Sequence, residues 1–254
     1  MEYFDLGGRV AIVTGGNGGI GLGMARGLAR AGAAIVVAAR NADKSAAAVK
    51  ALEALGAKAI AIAVDVTREA ACRGLVEETV KRLGRLDILV NNAGITVRKP
   101  PQDTTLEEWH RVVDSNLTSA FACAQAAYPH LVRAGGGKII NIGSMLSIFG
   151  APFAVAYAAS KGGVVQMTRA LATAWAKDNI QVNAVLPGWI DTDLTRSARE
   201  QVPGLNENVL RRTPAGRWGE PADLEAVAVF LAGPGSRFIT GTALPVDGGF
   251  SIQV

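Results

Sequence analysis

Seven short apolar runs punctuate the chain: RVAIVT, AAIVVAA, KAIAIAVDV, RLDILVNNAG, GKIINIGS, IQVNAVLPG and TALPVDGG. Longer stretches with helical periodicity separate them. Several runs are apolar at successive positions rather than alternating, which is what a strand buried on both faces requires. Strands that alternate with helices in this way predict a doubly wound parallel seven-stranded sheet with helices on both faces. The helical stretches are expected near 19–31, 43–55, 69–83, 105–133, 153–177 and 221–232. No repeat and no Pro/Gly/Ser-rich linker divides the 254 residues, so the chain is expected to form one domain over 1–254. The least regular segment runs from Trp189 to Trp218, rich in charge and broken by Pro203 and Pro214. A long insertion at a strand's carboxyl end reads either as a lid over a ligand or as a surface excursion.

Composition narrows the function. With 49% hydrophobic and 19% charged residues and 30 glycines, the chain is neither disordered nor a disulfide scaffold. Cys72 and Cys123 are too few to staple it and belong to no CxxC pair, so reduced cytosolic thiols are expected. The start MEYFDLGGRV shows no secretory pattern, and no run of 18 apolar residues appears, which predicts a soluble cytoplasmic protein with no membrane role. The net charge is +4 and the pI about 9.3. The basic residues are interspersed with acids, as in RGLVEETVKRLGRLD, so nucleic-acid binding is not expected. A mild positive field favours anionic cofactors and substrates instead. His110 and His130 sit in no ligand or triad pattern, and no metal site is expected.

Directly after the first run comes Thr14-Gly15-Gly16-Asn17-Gly18-Gly19-Ile20-Gly21. In a strand-loop-helix unit, Gly15 supplies a positive φ for the turn, the middle glycines admit a cofactor backbone, and Gly21 permits close helix-strand approach. The helix N-terminus beyond offers free N–H groups and a positive dipole end to a pyrophosphate. The alternative is an ordinary glycine-rich turn, but its place in the first βα unit favours a dinucleotide. Where NAD-binding sheets carry an acid to hold the ribose hydroxyls, this chain has Ala39 followed by Arg40. A guanidinium there pairs with a 2′-phosphate, so NADP(H) is expected over NAD(H); otherwise Arg40 decorates a strand end.

Tyr157-Ala-Ala-Ser-Lys161 lies in a helical pattern, which puts the phenol and the ammonium on one face. A neighbouring positive charge favours the phenolate and draws a tyrosine toward general acid/base duty. Taken alone, the pair reads equally as a packing tyrosine and a solvated lysine. Ser144 closes GKIINIGS thirteen residues earlier, at the sheet edge where such folds bind ligands.

From TGGNGGIG through Asn91-Asn92-Ala93-Gly94, Asn116, Ser144, YAASK, Pro187-Gly188 and Val246-Asp247-Gly248-Gly249, the chain resembles the short-chain dehydrogenase/reductases over essentially its whole length. The resemblance implies an oxidoreductase that transfers a hydride between a nicotinamide cofactor and a secondary alcohol or ketone. In it Tyr157 exchanges a proton with the substrate oxygen and Ser144 hydrogen-bonds that oxygen. Lys161 lowers the tyrosine pKa and holds the nicotinamide ribose, and Asn116 supports a water relay. It further implies that Asn92, Ala93 and Gly94 line the adenine ribose side, that Asp65 and Val66 flank the adenine, and that Pro187, Gly188, Ile190 and Thr192 border the nicotinamide. NADP-preferring members often carry a basic residue where this chain has Gly18, a departure that counts against NADP(H). Homotetramers are usual in the family; Gly162 and Gly163 would allow close helix packing either between subunits or within one.

Within the family, GKIINIGSMLS, AWAKDNIQVNAVLPG, PAGRWGEPADL and NNAGITVRKP are similar to sugar-acid dehydrogenases of the gluconate 5-dehydrogenase and 2-dehydro-3-deoxy-D-gluconate 5-dehydrogenase types. That likeness suggests Arg98 as a bidentate partner for a substrate carboxylate, or else as a loop arginine in solvent. The alternatives are a 3-oxoacyl carrier-protein reductase or broad carbonyl reductase, and a non-catalytic dinucleotide sensor on the same fold.

Overall fold

The computed structural model describes residues 2–253. All seven expected strands are present: β1 Val10–Thr14, β2 Ala34–Ala39, β3 Ala59–Ala63, β4 Ile88–Asn91, β5 Gly137–Ile142, β6 Ile180–Pro187 and β7 Ala243–Val246. They form one parallel sheet in the order β3-β2-β1-β4-β5-β6-β7. Ile12 pairs with Val36 on one side and Leu89 on the other. Because the chain runs outward in both directions from β1 and β4, a crevice opens at their carboxyl ends.

Period-two alternation sends the apolar strand residues to opposite faces, and both faces are covered. Ala11, Val13, Ile35, Val37 and Val90 pack against α1 (Gly19–Arg30), α2 (Ala42–Glu53) and α9 (Glu225–Ala232). Val10, Ile12, Val36, Leu89 and Ile139 pack against α3 (Glu69–Leu83), α5 (Ser119–Arg133) and the long α6 (Val155–Trp175). This is why the strand runs carry few polar residues at any register.

Two expected elements differ. The single helix expected over 105–133 is α4 (Leu106–Val113) and α5, separated by one wider π turn at Asp114–Thr118. Such a turn takes in an extra residue and re-aims a side chain; here it carries the buried Asn116. The segment 189–218, expected to be irregular, holds α7 (Asp193–Gln201) and α8 (Leu205–Arg212). Ala198, Leu205 and Val209 form a small core of their own under Trp189, Val202 and Trp218. Its two ends are stitched together where it leaves and rejoins the body: Gly219 N–H donates to Trp189 O at 2.9 Å and Asp191 N–H to Gly219 O at 2.8 Å. Gly163 packs within the subunit, facing the Leu117 side chain, while Gly162 meets almost nothing.

Candidate active site

A cleft of about 560 Å³ lies along the carboxyl edge of the sheet, within the range of small-molecule sites. Its floor begins with the glycine loop. Gly15 sits at φ +63°, where a side chain would be strained. A Cβ on Gly21 would run into the Gly15 carbonyl and the Asn92 amide, which is the close approach the sequence anticipated. The N-terminus of α1 follows an extended Gly18 and has no side-chain cap, so its first N–H groups are left for an anion. Asn92 braces this loop: its amide donates to Thr14 O at 3.0 Å and Gly15 O at 3.2 Å. Thr14 Oγ1 accepts from Asn92 N–H and Ala93 N–H at 3.0 and 3.1 Å. Asn17 turns toward α2 and reaches Ser45 Oγ at 3.2 Å.

Deeper in the cleft, β5 delivers Ser144 and α6 delivers Tyr157 and Lys161 to the same wall. Ser144 Oγ accepts from Leu146 N–H at 3.1 Å, and Ser147 Oγ donates to Lys161 O at 2.8 Å, tying the strand end to the helix. Lys161 is 3% exposed; its ammonium donates to Ile142 O at 2.6 Å and stands 5.6 Å from the centre of the Tyr157 ring. Burial depresses its pKa to about 8. Asn116 is saturated by the loop after β4: Oδ1 accepts from Ile95 N–H at 2.8 Å, while Nδ2 donates to Ile95 O at 2.9 Å and Ser160 Oγ at 3.0 Å. Ser160 Oγ in turn donates to Tyr157 O at 2.7 Å, so the π turn, the β4 loop and α6 are locked together behind Gly94 and Lys161.

This placement of a glycine loop, Ser144, Tyr157, Lys161 and Asn116 around one cleft coincides with a match over residues 15–251 to a family model described as enoyl-(acyl carrier protein) reductase. The chain is 42% identical over 251 residues to 2-dehydro-3-deoxy-D-gluconate 5-dehydrogenase of Escherichia coli K12, covering 98% of each. It is 39% identical to 5-keto-D-gluconate 5-reductase of the same strain, covering 100% of this chain and 99% of that one. The crystal structure of a gluconate 5-dehydrogenase from Burkholderia cenocepacia J2315 with NADP and tartrate superposes with a TM-score of 0.94 at 42% identity, covering 100% of this chain and 99% of that one. The chain belongs to the short-chain dehydrogenase/reductase family.

In this short-chain dehydrogenase/reductase, the expectation that Lys161 draws the Tyr157 phenol below its ordinary pKa is not met. Desolvation in the cleft wall, where Tyr157 is half-buried, raises it; the Ser144 hydroxyl and the Arg98 charge act in the opposite direction and do not overcome it. The Lys161 ammonium is aimed at the Ile142 carbonyl instead.

Pro187, Gly188, Ile190 and Thr192 line the cleft at the end of β6. Thr192 also caps α7, with Thr192 N–H donating to Thr195 Oγ1 at 2.9 Å. Arg40, Asp65 and Val66 lie outside the cleft wall, at the ends of β2 and β3. Arg40 is exposed and its charge reaches Asp65. The Asp65 carboxylate accepts from Thr67 Oγ1 at 2.8 Å and Thr67 N–H at 3.1 Å, and these bonds hold its pKa below the usual range.

Arg98 lines the cleft and is already engaged by the α7 segment: it donates to Leu194 O at 2.8 Å and Gln201 Oε1 at 3.1 Å. Burial lowers its pKa, and Tyr157 opposes that. Lys44 and Arg212 are cleft residues that the sequence did not single out. Lys44, at the start of α2, pairs with Asp193 of α7 at 3.3 Å across the mouth. Arg212, at the end of α8, stacks on Phe149 and Phe250. Nothing in their local sequence marks either one, because their partners lie far away along the chain.

Proposed function

We propose that this chain is an NADP(H)-dependent oxidoreductase that interconverts a secondary alcohol and a ketone on a sugar acid such as gluconate and 5-ketogluconate. The observation that carries the reading is the convergence of Ser144, Tyr157 and Lys161 on a cleft that continues from an uncapped, glycine-lined helix N-terminus. Support for the substrate class comes from the three relatives named above, each of which carries a sugar acid in its name. Support for the cofactor comes from the NADP bound by the B. cenocepacia enzyme and from Arg40, which is exposed at the end of β2 with Asp65 beside it.

The residues present fit a dinucleotide. The N–H groups of α1 would hold the pyrophosphate, with Gly15, Gly18, Gly19 and Ile20 as its floor. Arg40 would pair with the 2′-phosphate. Asp65 and Val66 would flank the adenine, Asn92, Ala93 and Gly94 would line the adenine ribose side, and Pro187, Gly188, Ile190 and Thr192 would border the nicotinamide. When bound, the cofactor supplies or takes the hydride. Tyr157 gives its phenolic proton to the forming alkoxide, or removes it from the alcohol in the reverse direction. Its raised pKa keeps the proton in place at neutral pH, and Ser144 hydrogen-bonds the same oxygen. Lys161, its ammonium 5.6 Å from the Tyr157 ring centre, would hold the nicotinamide ribose, while Asn116 fixes the Ile95 loop and would support proton relay. Arg98 lies next to the reacting group and latches α7. In this reading a single domain spans 1–254, with 189–218 covering the substrate.

The family likeness, together with the exposed Leu106, Phe121 and Val132 on α4 and α5, supports a homotetramer. Among the described residues no helix is long and apolar enough to cross a membrane; a cytoplasmic location belongs to the same reading.

NADPH and NADH oxidation with 5-keto-D-gluconate, an acetoacetyl thioester and an aryl ketone tests the function. Turnover chiefly with the keto acid and NADPH is expected. Turnover chiefly with the thioester or the aryl ketone would return the chain to the reductase alternatives, and none with any of them to the sensor.

A further inference from the structure

Among the described residues three cations of the cleft, Arg98, Lys161 and Arg212, have no acid within ion-pair distance, and of these Arg212 alone makes no side-chain hydrogen bond. The Arg212 guanidinium stacks with its carbon 4.4 Å from the Phe250 ring centre and 4.9 Å from that of Phe149. The two rings stand 6.3 Å apart at 75° to one another, so they flank the guanidinium on adjacent sides, and neither offers it a carboxylate or carbonyl oxygen. Nε is shut away from solvent without a hydrogen-bond partner, and among the described residues no carboxylate lies within ion-pair distance of Arg212. The terminal N–H groups of Arg212, which line the cleft and make no hydrogen bond, are therefore the donors left for a ligand oxygen. Asp193 is the one acid among the cleft-lining residues; its side chain is 81% exposed at the mouth and is held by Lys44 and Arg196. The interior is therefore cationic.

The two arginines of the cleft are not equivalent. Arg98 has spent two donors on α7, and it is the arginine whose charge Tyr157 feels. A substrate in which the carboxylate and the reacting ketone are separated by several carbons needs its cation away from the tyrosine. In a 5-keto sugar acid those groups lie at opposite ends of the chain.

We infer that Arg212 takes the substrate carboxylate and sets the preference for sugar acids over neutral sugars. The inference rests on the sugar-acid reading above and deepens it. The probes are 5-keto-D-gluconate and L-sorbose, which keeps the ketone and hydroxyls but carries a hydroxymethyl group in place of the carboxylate. Arg212→Met should lower kcat/KM for the keto acid by about 10–150-fold, mostly through KM, the span expected for losing a charged hydrogen bond. L-sorbose should change far less, so the ratio between the two substrates collapses. Arg212→Lys keeps the charge without the planar fork and should fall between; it carries the test if Arg212→Met does not fold. Arg211→Met removes the neighbouring charge, which is exposed and bonded to Asn208, and should keep the wild-type ratio. As a readout without turnover, 5-keto-D-gluconate with NADP+, both oxidised and so unable to exchange a hydride, should raise the Tm of wild type and not that of Arg212→Met. An unchanged KM for the keto acid in Arg212→Met, or an equal loss on both sugars, overturns the inference alone. A wild-type enzyme that reduces aryl ketones but not 5-keto-D-gluconate overturns the sugar-acid reading, and the inference falls with it.

Discussion

The two edges of the sheet treat buried charge in opposite ways. At the amino edge, Asp87 is 2% exposed and fully answered: Arg9 and Arg85 reach it at 2.6–2.8 Å, and Val10 N–H donates at 2.9 Å. Burial pushes its pKa up, but these donors outweigh burial and hold the carboxyl below its usual range. At the carboxyl edge, Lys161 is equally buried with only a carbonyl as partner, and Arg212 has aromatic rings and, among the described residues, no acid. One edge spends its charges on holding the fold; the other leaves them unneutralised, which costs stability and prepares a site for an anion and a reacting oxygen.

If that contrast is right, substitutions at the two edges separate cleanly into losses of rate and losses of stability. Tyr157→Phe should lower kcat by about 10²–10⁴-fold, the range for a lost general acid, with the Tm held within a degree or two. Steady-state assays beside thermal melts would show this, and retained turnover would remove Tyr157 from the mechanism. Asp87→Ala should do the reverse, costing about 3 kcal/mol in urea unfolding because Val10 N–H loses its acceptor in the core, with KM unchanged. A smaller effect belongs to the cofactor side. Arg40→Asp should shift the NADPH-to-NADH ratio of kcat/KM by about tenfold or more toward NADH, and an unchanged ratio would leave Arg40 as a strand-end decoration.

The pH dependence of stability sharpens the comparison furthest. Asp87 has a depressed folded pKa, so its contribution is present above the unfolded carboxylate value and disappears as pH falls through the folded one. The gap between wild type and Asp87→Asn should therefore narrow in strong acid. Lys161 is depressed to about 8, so between there and the ordinary lysine value the unfolded chain holds more protons and stability rises with pH. Lys138, also near 8 and donating to Ser236 Oγ, adds to the same rise. Lys161→Met should reduce the alkaline slope of the unfolding free energy without abolishing it.

The sheet was legible because its strand runs are apolar on both faces and its helices keep a 3.6 period, two signals that do not depend on distant residues. The glycine loop and the Ser144, Tyr157 and Lys161 set were legible through short-range motifs. The π turn at Asp114–Thr118 was not, because the helical pattern runs on through it and only the buried Asn116 gives it a purpose. The helices of 189–218 were masked by Pro203 and Pro214 and by a core made of only a few residues. Arg212 depends on rings at 149 and 250, which no local pattern connects to it.

The stitch between Trp189, Asp191 and Gly219 gives the segment it closes the character of an exchangeable cassette. Both ends of the excursion pass through one point on the sheet edge, so its length and composition can change without disturbing strand register. Selectivity can then be revised there while the hydride and proton machinery beneath stays as it is.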